Sequence, residues 1–239
     1  MKRDLIIFPL TICLLASAQA LAEDKPIWKP AVGDSWSYRV AVTVQEGTEL
    51  PKDIPGQKIE KFDGKTRATY LQEMVYRGLQ PLGEAKDGEA VTTGHAFTIS
   101  VGGTLVETQF NAISDTAIDA LGVQPAGKEL KPLSKPIPLV GSGWKGGEAF
   151  PFMMEFPVDG KNVRMVRKFK VIGWETLETK AGKFKALHVQ VTGLNGQMEI
   201  KRSYWFTPGT GFIKEVKKYY VGERTILTQT RVLEKMSSQ

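Results

Sequence analysis

From Trp36 onward the apolar residues of this chain recur mostly at every second position, and a helical spacing of three or four is scarce. Trp36, Tyr38, Val40, Val42 and Val44 share one side of a segment, with Ser37, Arg39, Ala41 and Thr43 on the other. Ala68, Tyr70, Gln72, Met74 and Tyr76 make a second such face, and Phe97, Ile99 and Val101 continue it before Gly102-Gly103 and Thr104 to Phe110. In an extended strand successive side chains point to opposite faces, so alternation of aromatic and β-branched residues predicts half-buried antiparallel strands.

The pattern is cleanest between Lys161 and Lys235, which reads as a β-meander. Turns are predicted at Lys180-Ala181-Gly182-Lys183, Gly193-Leu194-Asn195-Gly196, Pro208-Gly209-Thr210-Gly211 and Gly222-Glu223, with Asn-Gly a strong hairpin dipeptide. Residues 161–239 carry 16 Lys and Arg against 6 Asp and Glu, a net of +10, while residues 23–160 carry 14 against 19, a net of −5. Such asymmetry has two readings. Lysines on the outer face of exposed strands block edge-to-edge pairing, and a basic sheet also attracts an anionic partner.

The spacing predicts one short helix over Asp115–Leu121, with Ser114 or Asp115 as its cap and Gly122 at its end. The segment from Pro125 to Gly147, rich in proline and glycine, reads as an ordered loop crossing the sheet, because Ile137, Leu139, Val140 and Trp144 need burial; a hinge between two domains is the alternative. Glu46 to Gly64 reads as a long hairpin loop. The expected fold is therefore all-β: a curved antiparallel sheet or half-barrel meander with one short helix and a long loop crossing its concave side.

Three motifs carry a resemblance. Val32-Gly33-Asp34-Ser35-Trp36-Ser37-Tyr38, Ala181-Gly182-Lys183-Phe184-Lys185-Ala186 and Tyr204-Trp205-Phe206-Thr207-Pro208-Gly209-Thr210-Gly211 resemble a group of exported bacterial proteins built on a domain of unknown function. The resemblance covers the last third well and the middle poorly. It implies a curved antiparallel sheet similar to the open half-barrel of periplasmic lipoprotein carriers, and it lends no catalytic residue.

The N-terminus reads as a secretory signal. Lys2 and Arg3 precede an apolar run from Leu5 to Ala18, followed by the small-x-small patterns Ala18-Gln19-Ala20 and Ala20-Leu21-Ala22 and then Glu23-Asp24-Lys25. The run is too short for an ordinary membrane span. Cleavage is expected near Ala22, with Ala20 second and an uncleaved anchor as the alternative, leaving one β-rich periplasmic domain over residues 23–239 and no later transmembrane segment. Cys13 is the single cysteine and lies within that run, so no disulfide is expected in the mature chain.

Several chemistries lack their residues. His95 and His188 are the two histidines, too few and too far apart for a metal-ligand motif. Gly141-Ser142-Gly143-Trp144-Lys145-Gly146-Gly147 is glycine-rich but lacks the Gly-Lys-Ser/Thr end of a phosphate-binding loop. Gly33-Asp34-Ser35 mimics the nucleophile block of Gly-Asp-Ser esterases, and Gly193-Leu194-Asn195 mimics a second block. However, no Asp-x-x-His supplies a base, and Ser35 leads into a strand where that nucleophile leads into a helix. Glu175, Glu178 and Glu199 read as exposed charges rather than a glycosidase pair.

The sequence thus points to a non-catalytic periplasmic protein without cofactor or metal, and without a nucleic-acid partner. In the first reading a concave face lined by Trp36, Tyr38, Tyr70, Met74, Phe152, Met153 and Phe156 holds an apolar or amphipathic envelope ligand such as a lipid; the alternative for these rings is an ordinary closed core. In the second, Lys168, Lys170, Lys214, Lys217 and Lys218 dock the chain on lipopolysaccharide, another anionic envelope component or an envelope protein. The third is a hydrolase centred on Ser35.

Overall fold

The structure, a computed structural model, describes residues 27–50, 54–83, 92–158, 161–195 and 198–238. The expected signal peptide and its cleavage site lie outside the described residues. The described residues form thirteen strands: β1 (Ser35–Gln45), β2 (Lys58–Phe62), β3 (Lys65–Pro81), β4 (Thr93–Val101), β5 (Thr104–Ile113), β6 (Ala117–Pro125), β7 (Lys131–Gly141), β8 (Ala149–Val158), β9 (Lys161–Thr179), β10 (Gly182–Asn195), β11 (Met198–Thr207), β12 (Gly211–Val221) and β13 (Arg224–Ser237). All belong to one antiparallel sheet with the order β7-β6-β5-β4-β3-β1-β13-β12-β11-β10-β9-β8, and β2 lies against the start of β3.

Two meanders are therefore sewn together where β1 pairs β13, opposite ends of the described chain. Bulges at Ser37/Tyr38, His188/Val189, Trp205/Phe206 and Tyr219/Tyr220 bend these strands, and such kinks let a twisted sheet curl upon itself. The curl brings the two terminal strands, β7 and β8, to one seam. Among the described residues no ladder joins them; Ser134 Oγ donates to the Glu155 carbonyl at 2.9 Å, and Lys135 Nζ lies 5.0 Å from the centre of the Phe152 ring. The result is a nearly closed barrel.

The near end of the barrel, where β1 begins, is filled. Trp28 is buried and stacks on Phe97 (4.9 Å, 15°), and it meets Trp36, Phe206 and Phe212 edge-on. Ile27 N–H donates to the Asp115 carbonyl at 3.2 Å and its own carbonyl accepts from Gly209 N–H at 3.0 Å. The N-terminal segment is thus strung between the β5–β6 and β11–β12 turns with Trp28 as a plug. Gly211 makes room for it: φ is +101°, and a Cβ there would lie 2.8 Å from the indole. Across the interior Tyr204 Oη donates to the Leu139 carbonyl at 2.5 Å, tying β11 to β7.

Three expectations are corrected. Residues 115–121 form the β5–β6 turn and the start of β6, and no helix occurs among the described residues. Ser114 Oγ accepts from Ala117 N–H at 2.9 Å; a serine that would cap a helix caps a tight turn by the same bond. The crossing loop contains strand β7, whose Pro132, Pro136 and Pro138 are tolerated because β7 is an edge strand. Leu139 and Val140 are buried as expected. The long hairpin loop contains β2, which shortens it to residues 46–57. In the meander from β9 to β13 the turns at 180–181, 208–210 and 222–223 fall where predicted, whereas Gly193, Leu194 and Asn195, expected in a turn, belong to β10 and pair with β11, and Gly196 lies outside the described residues.

Candidate functional site

At the far end of the barrel the inner face divides into two walls. One is apolar: Val40, Val42 and Val44 of β1, Tyr70 of β3 and Val101 of β4 form a buried cluster under Leu50 and Ile54 from the β1–β2 loop. The other is basic. Cross-strand partners share a face, so the ladder Val40–Arg231–Glu215–Tyr204–Val189 places Arg231 and Glu215 inward with the core residues beside them. The next rung toward the far end runs Val42–Gln229–Lys217–Arg202–Val191, and Arg167 of β9 faces Gly193 of β10 one rung further.

These charges converge on Glu215. Arg202 Nε lies 2.5 Å and Lys217 Nζ 3.4 Å from Oε1, and Arg231 Nη2 lies 3.5 Å from Oε2. Among the described residues Glu215 is the one carboxylate with which these three cations form ion pairs. The Glu215 side chain is 7% exposed and that of Arg231 12%, against 28% for Arg202 and 32% for Lys217, so the cluster rises from the core toward solvent. Arg231 lies over the Tyr38 ring at 4.6 Å and Arg202 over the Tyr204 ring at 4.8 Å. Arg167 donates to the Leu194 carbonyl at 2.9 Å, in space that a Cβ on Gly193 would occupy at 2.5 Å.

Protonation follows from this arrangement. Burial alone would push the Glu215 carboxyl up, but Arg202, Lys217 and Arg231 outweigh it and hold the group well below the usual carboxylate range. On Lys217 the upward pull of Glu215 is the largest single influence; desolvation together with the like charges of Arg202 and Arg231 outweighs it, and the ammonium falls below the ordinary lysine range. Desolvation opposes Arg202, yet Glu215 and its neighbours raise it. Burial pushes the Tyr38 hydroxyl, which donates to the Phe212 carbonyl at 3.0 Å, up to about 12.

The residues singled out from the sequence separate. Trp36, Tyr38, Met74 and Phe152 are packed in the main core, so they belong to a filled interior rather than to the lining of an open cleft. Tyr70 belongs to the far-end apolar wall. Met153 points outward and is 47% exposed, and the side chain of Phe156 lies outside the described residues. Lys168, Lys170 and Lys218 are exposed on the outer face, and Lys214, also outside, lies 4.8 Å over the Trp205 ring. Lys217 alone of the five turns inward. Ser35 opens β1 opposite Val75 and Ser237, after a turn in which Asp34 Oδ2 accepts from Ala31 N–H at 2.8 Å. Gly193 sits at the opposite end of the barrel, so the two esterase-like blocks do not meet.

His95 Nδ1 is 2.7 Å from Tyr76 Oη, while His188 stacks on Trp205 at 4.3 Å and lies 3.1 Å from Glu175 on the outer face. Sequence reasoning passed over Arg167, Arg202, Glu215 and Arg231. The signal was available: in β12 Glu215 and Lys217 are in phase with the buried Ile213, and in β13 Arg231 is in phase with the buried Leu233.

No protein-family model matches the chain, and no curated protein does. Three solved structures are similar in broad arrangement. One, described as a candidate lipoprotein from Parabacteroides distasonis, is 10% identical with a TM-score of 0.48, over 89% of this chain and 99% of that one. An exported protein with a YmcC-like fold from Bacteroides fragilis is 11% identical with a TM-score of 0.43, over 90% and 100%. The hypothetical lipoprotein YmcC of Escherichia coli is 11% identical with a TM-score of 0.32, over 85% and 86%. At these identities and TM-scores no residue role transfers.

Proposed function

We propose that this chain is an exported, non-catalytic binding protein of the cell envelope, and that it holds an amphipathic ligand at the far end of its barrel. The observation that carries the reading is the divided inner face: an apolar wall of Val42, Val44 and Tyr70 under Leu50 and Ile54 adjoins, along the same rungs of neighbouring strands, Arg202, Lys217 and Arg231. A ligand with an anionic head and an apolar body matches both walls at once. The near end is occupied by Trp28 and its ring partners, which favours the far end as the way in. The N-terminal signal pattern supports export.

The test is organic extraction and native mass spectrometry of protein purified from the exported fraction, followed by uptake of a fluorescent amphiphile by the delipidated chain. The expected result is a co-purifying amphiphile and saturable uptake that Val44→Asp reduces. Absence of both a co-purifying amphiphile and uptake would overturn the reading. A second reading, docking on an anionic surface, is favoured by the exposed Lys168, Lys170 and Lys218 on the outer face. It predicts that charge reversal of these three abolishes salt-sensitive binding to anionic vesicles while leaving amphiphile uptake intact.

A further inference from the structure

Glu215 is over-matched. Three cations share one buried carboxylate, which leaves two positive charges without a partner carboxylate in the described cluster, and Arg167 adds a third within one rung. Desolvated charge of one sign is costly unless it is paired, so the excess calls for an anion. We infer that Arg202, Lys217 and Arg231, gathered by Glu215, form a binding site for a phosphate-class dianion, and that this group is the head of the proposed amphiphile. The inference takes the binding reading above as its premise and names the chemistry of the head.

The class follows from charge and geometry. A dianion balances the two excess charges of the Arg202, Lys217 and Arg231 cluster, with Arg167 one rung away as a further attraction, whereas a carboxylate would leave one of the two. The three cations come from three neighbouring strands, so they approach a common point from different directions, as a tetrahedral oxyanion with several acceptor oxygens requires. Glu215 engages Nε of Arg202 and leaves both terminal nitrogens of that guanidinium outside this bond. Arg202 and Lys217 are each about a third exposed, on the side away from the packed core. Against the upward pull of Glu215, desolvation and then the like charges of Arg202 and Arg231 depress the Lys217 ammonium, and an added anion would raise it. Gly193 supports the arrangement by giving Arg167 its room.

The experiment titrates the wild-type chain, by calorimetry, with inorganic phosphate, dihexanoyl phosphatidic acid and dihexanoyl phosphatidylcholine. The expected result is one-to-one binding of phosphatidic acid at least tenfold tighter than phosphatidylcholine, with weaker binding of phosphate itself. Lys217→Met should weaken phosphatidic acid by roughly tenfold, the worth of one charge-assisted hydrogen bond, while the outer-face variant Lys168→Glu does not. A readout without any variant is acetylation of the wild-type protein followed by mass spectrometry: the bound probe protects Lys217 and spares its outward neighbour Lys218 that protection. Binding of inorganic phosphate alone would uphold the anion site and overturn the amphiphile reading. Equal binding of both lipids with no Lys217 protection would uphold the amphiphile reading and overturn the anion site. No binding of any probe would overturn the inference and leave the cluster as a structural ion network.

Discussion

Replacing Trp28 with alanine should destabilise the whole barrel, although the residue lies before the first strand. Trp28 is 2% exposed and contacts four aromatic rings. A buried tryptophan removes about 200 Å² from water, which at about 25 cal/mol/Å² is worth about 5 kcal/mol. Alanine recovers about 1 kcal/mol of that, so the loss is about 4 kcal/mol, within the about 3–5 kcal/mol typical of such truncations. With an m-value of about 3 kcal/mol per molar urea, the midpoint should fall by about 1.3 M. Far-UV circular dichroism is the suitable probe, since tryptophan fluorescence changes with the substitution itself. Gly211 offers the internal control. In the wild type, Gly211→Ala adds a left-handed backbone strain of about 1–3 kcal/mol to a Cβ–indole overlap at 2.8 Å. In the Trp28→Ala background the overlap is gone and only the strain remains. The double-mutant cycle should therefore show a coupling of at least about 1 kcal/mol. A loss below about 1 kcal/mol for Trp28→Ala, or strict additivity in the cycle, would refute the plug.

Three further outcomes are expected. Glu215→Gln leaves Arg202, Lys217 and Arg231 without the buried carboxylate they share and should cost about 3–5 kcal/mol in urea unfolding. Because Glu215 is held below its unfolded pKa, wild-type stability should be full above the ordinary carboxylate range and fall as pH drops through it, the unfolded chain then binding the extra proton; the variant should show a shallower fall. Tyr38→Phe loses the bond to the Phe212 carbonyl, about 1 kcal/mol. Since Tyr38 is neutral up to about 12 when folded, its contribution is full below pH 10 and declines as pH rises from 10 to 12, which an alkaline denaturation series compared with the variant will read. Gly193→Ala forces its Cβ against Arg167 and the Val166 carbonyl at 2.5 Å and should cost about 1–3 kcal/mol, read as a lowered melting temperature.

Much of the sheet was legible because strand pairing uses local marks. The turns at Ala181-Gly182 and Pro208-Gly209 and the alternation through Val189 and Val191 need no distant partner to be recognised. The errors share a cause as well. Ser114 presents the same side-chain acceptor to a helix and to a tight turn, and the prolines of β7 are disqualifying only if the strand has neighbours on both sides. The candidate site was harder. In Lys214-Glu215-Val216-Lys217-Lys218 the lysines look alike, and only the phase relative to Ile213 separates Lys217 from Lys214 and Lys218. Bulges at Trp205/Phe206 and Tyr219/Tyr220 shift that phase between neighbouring strands.

Alternation by itself determined that the chain is all-β, that residues 161–235 form a meander, and where most of its turns fall. It sets two faces for each strand and says nothing about which way the sheet bends. Curvature comes from twist and bulges summed over twelve strands, and that sum decided the rest. It joined β1 to β13, brought β7 and β8 to one seam, and enclosed Trp28 among rings from four strands. It also turned Arg202, Lys217 and Arg231 inward around Glu215. A lysine on an alternating strand is solvent-facing by default; only closure of the sheet, which makes one face an interior, turns it into part of a site.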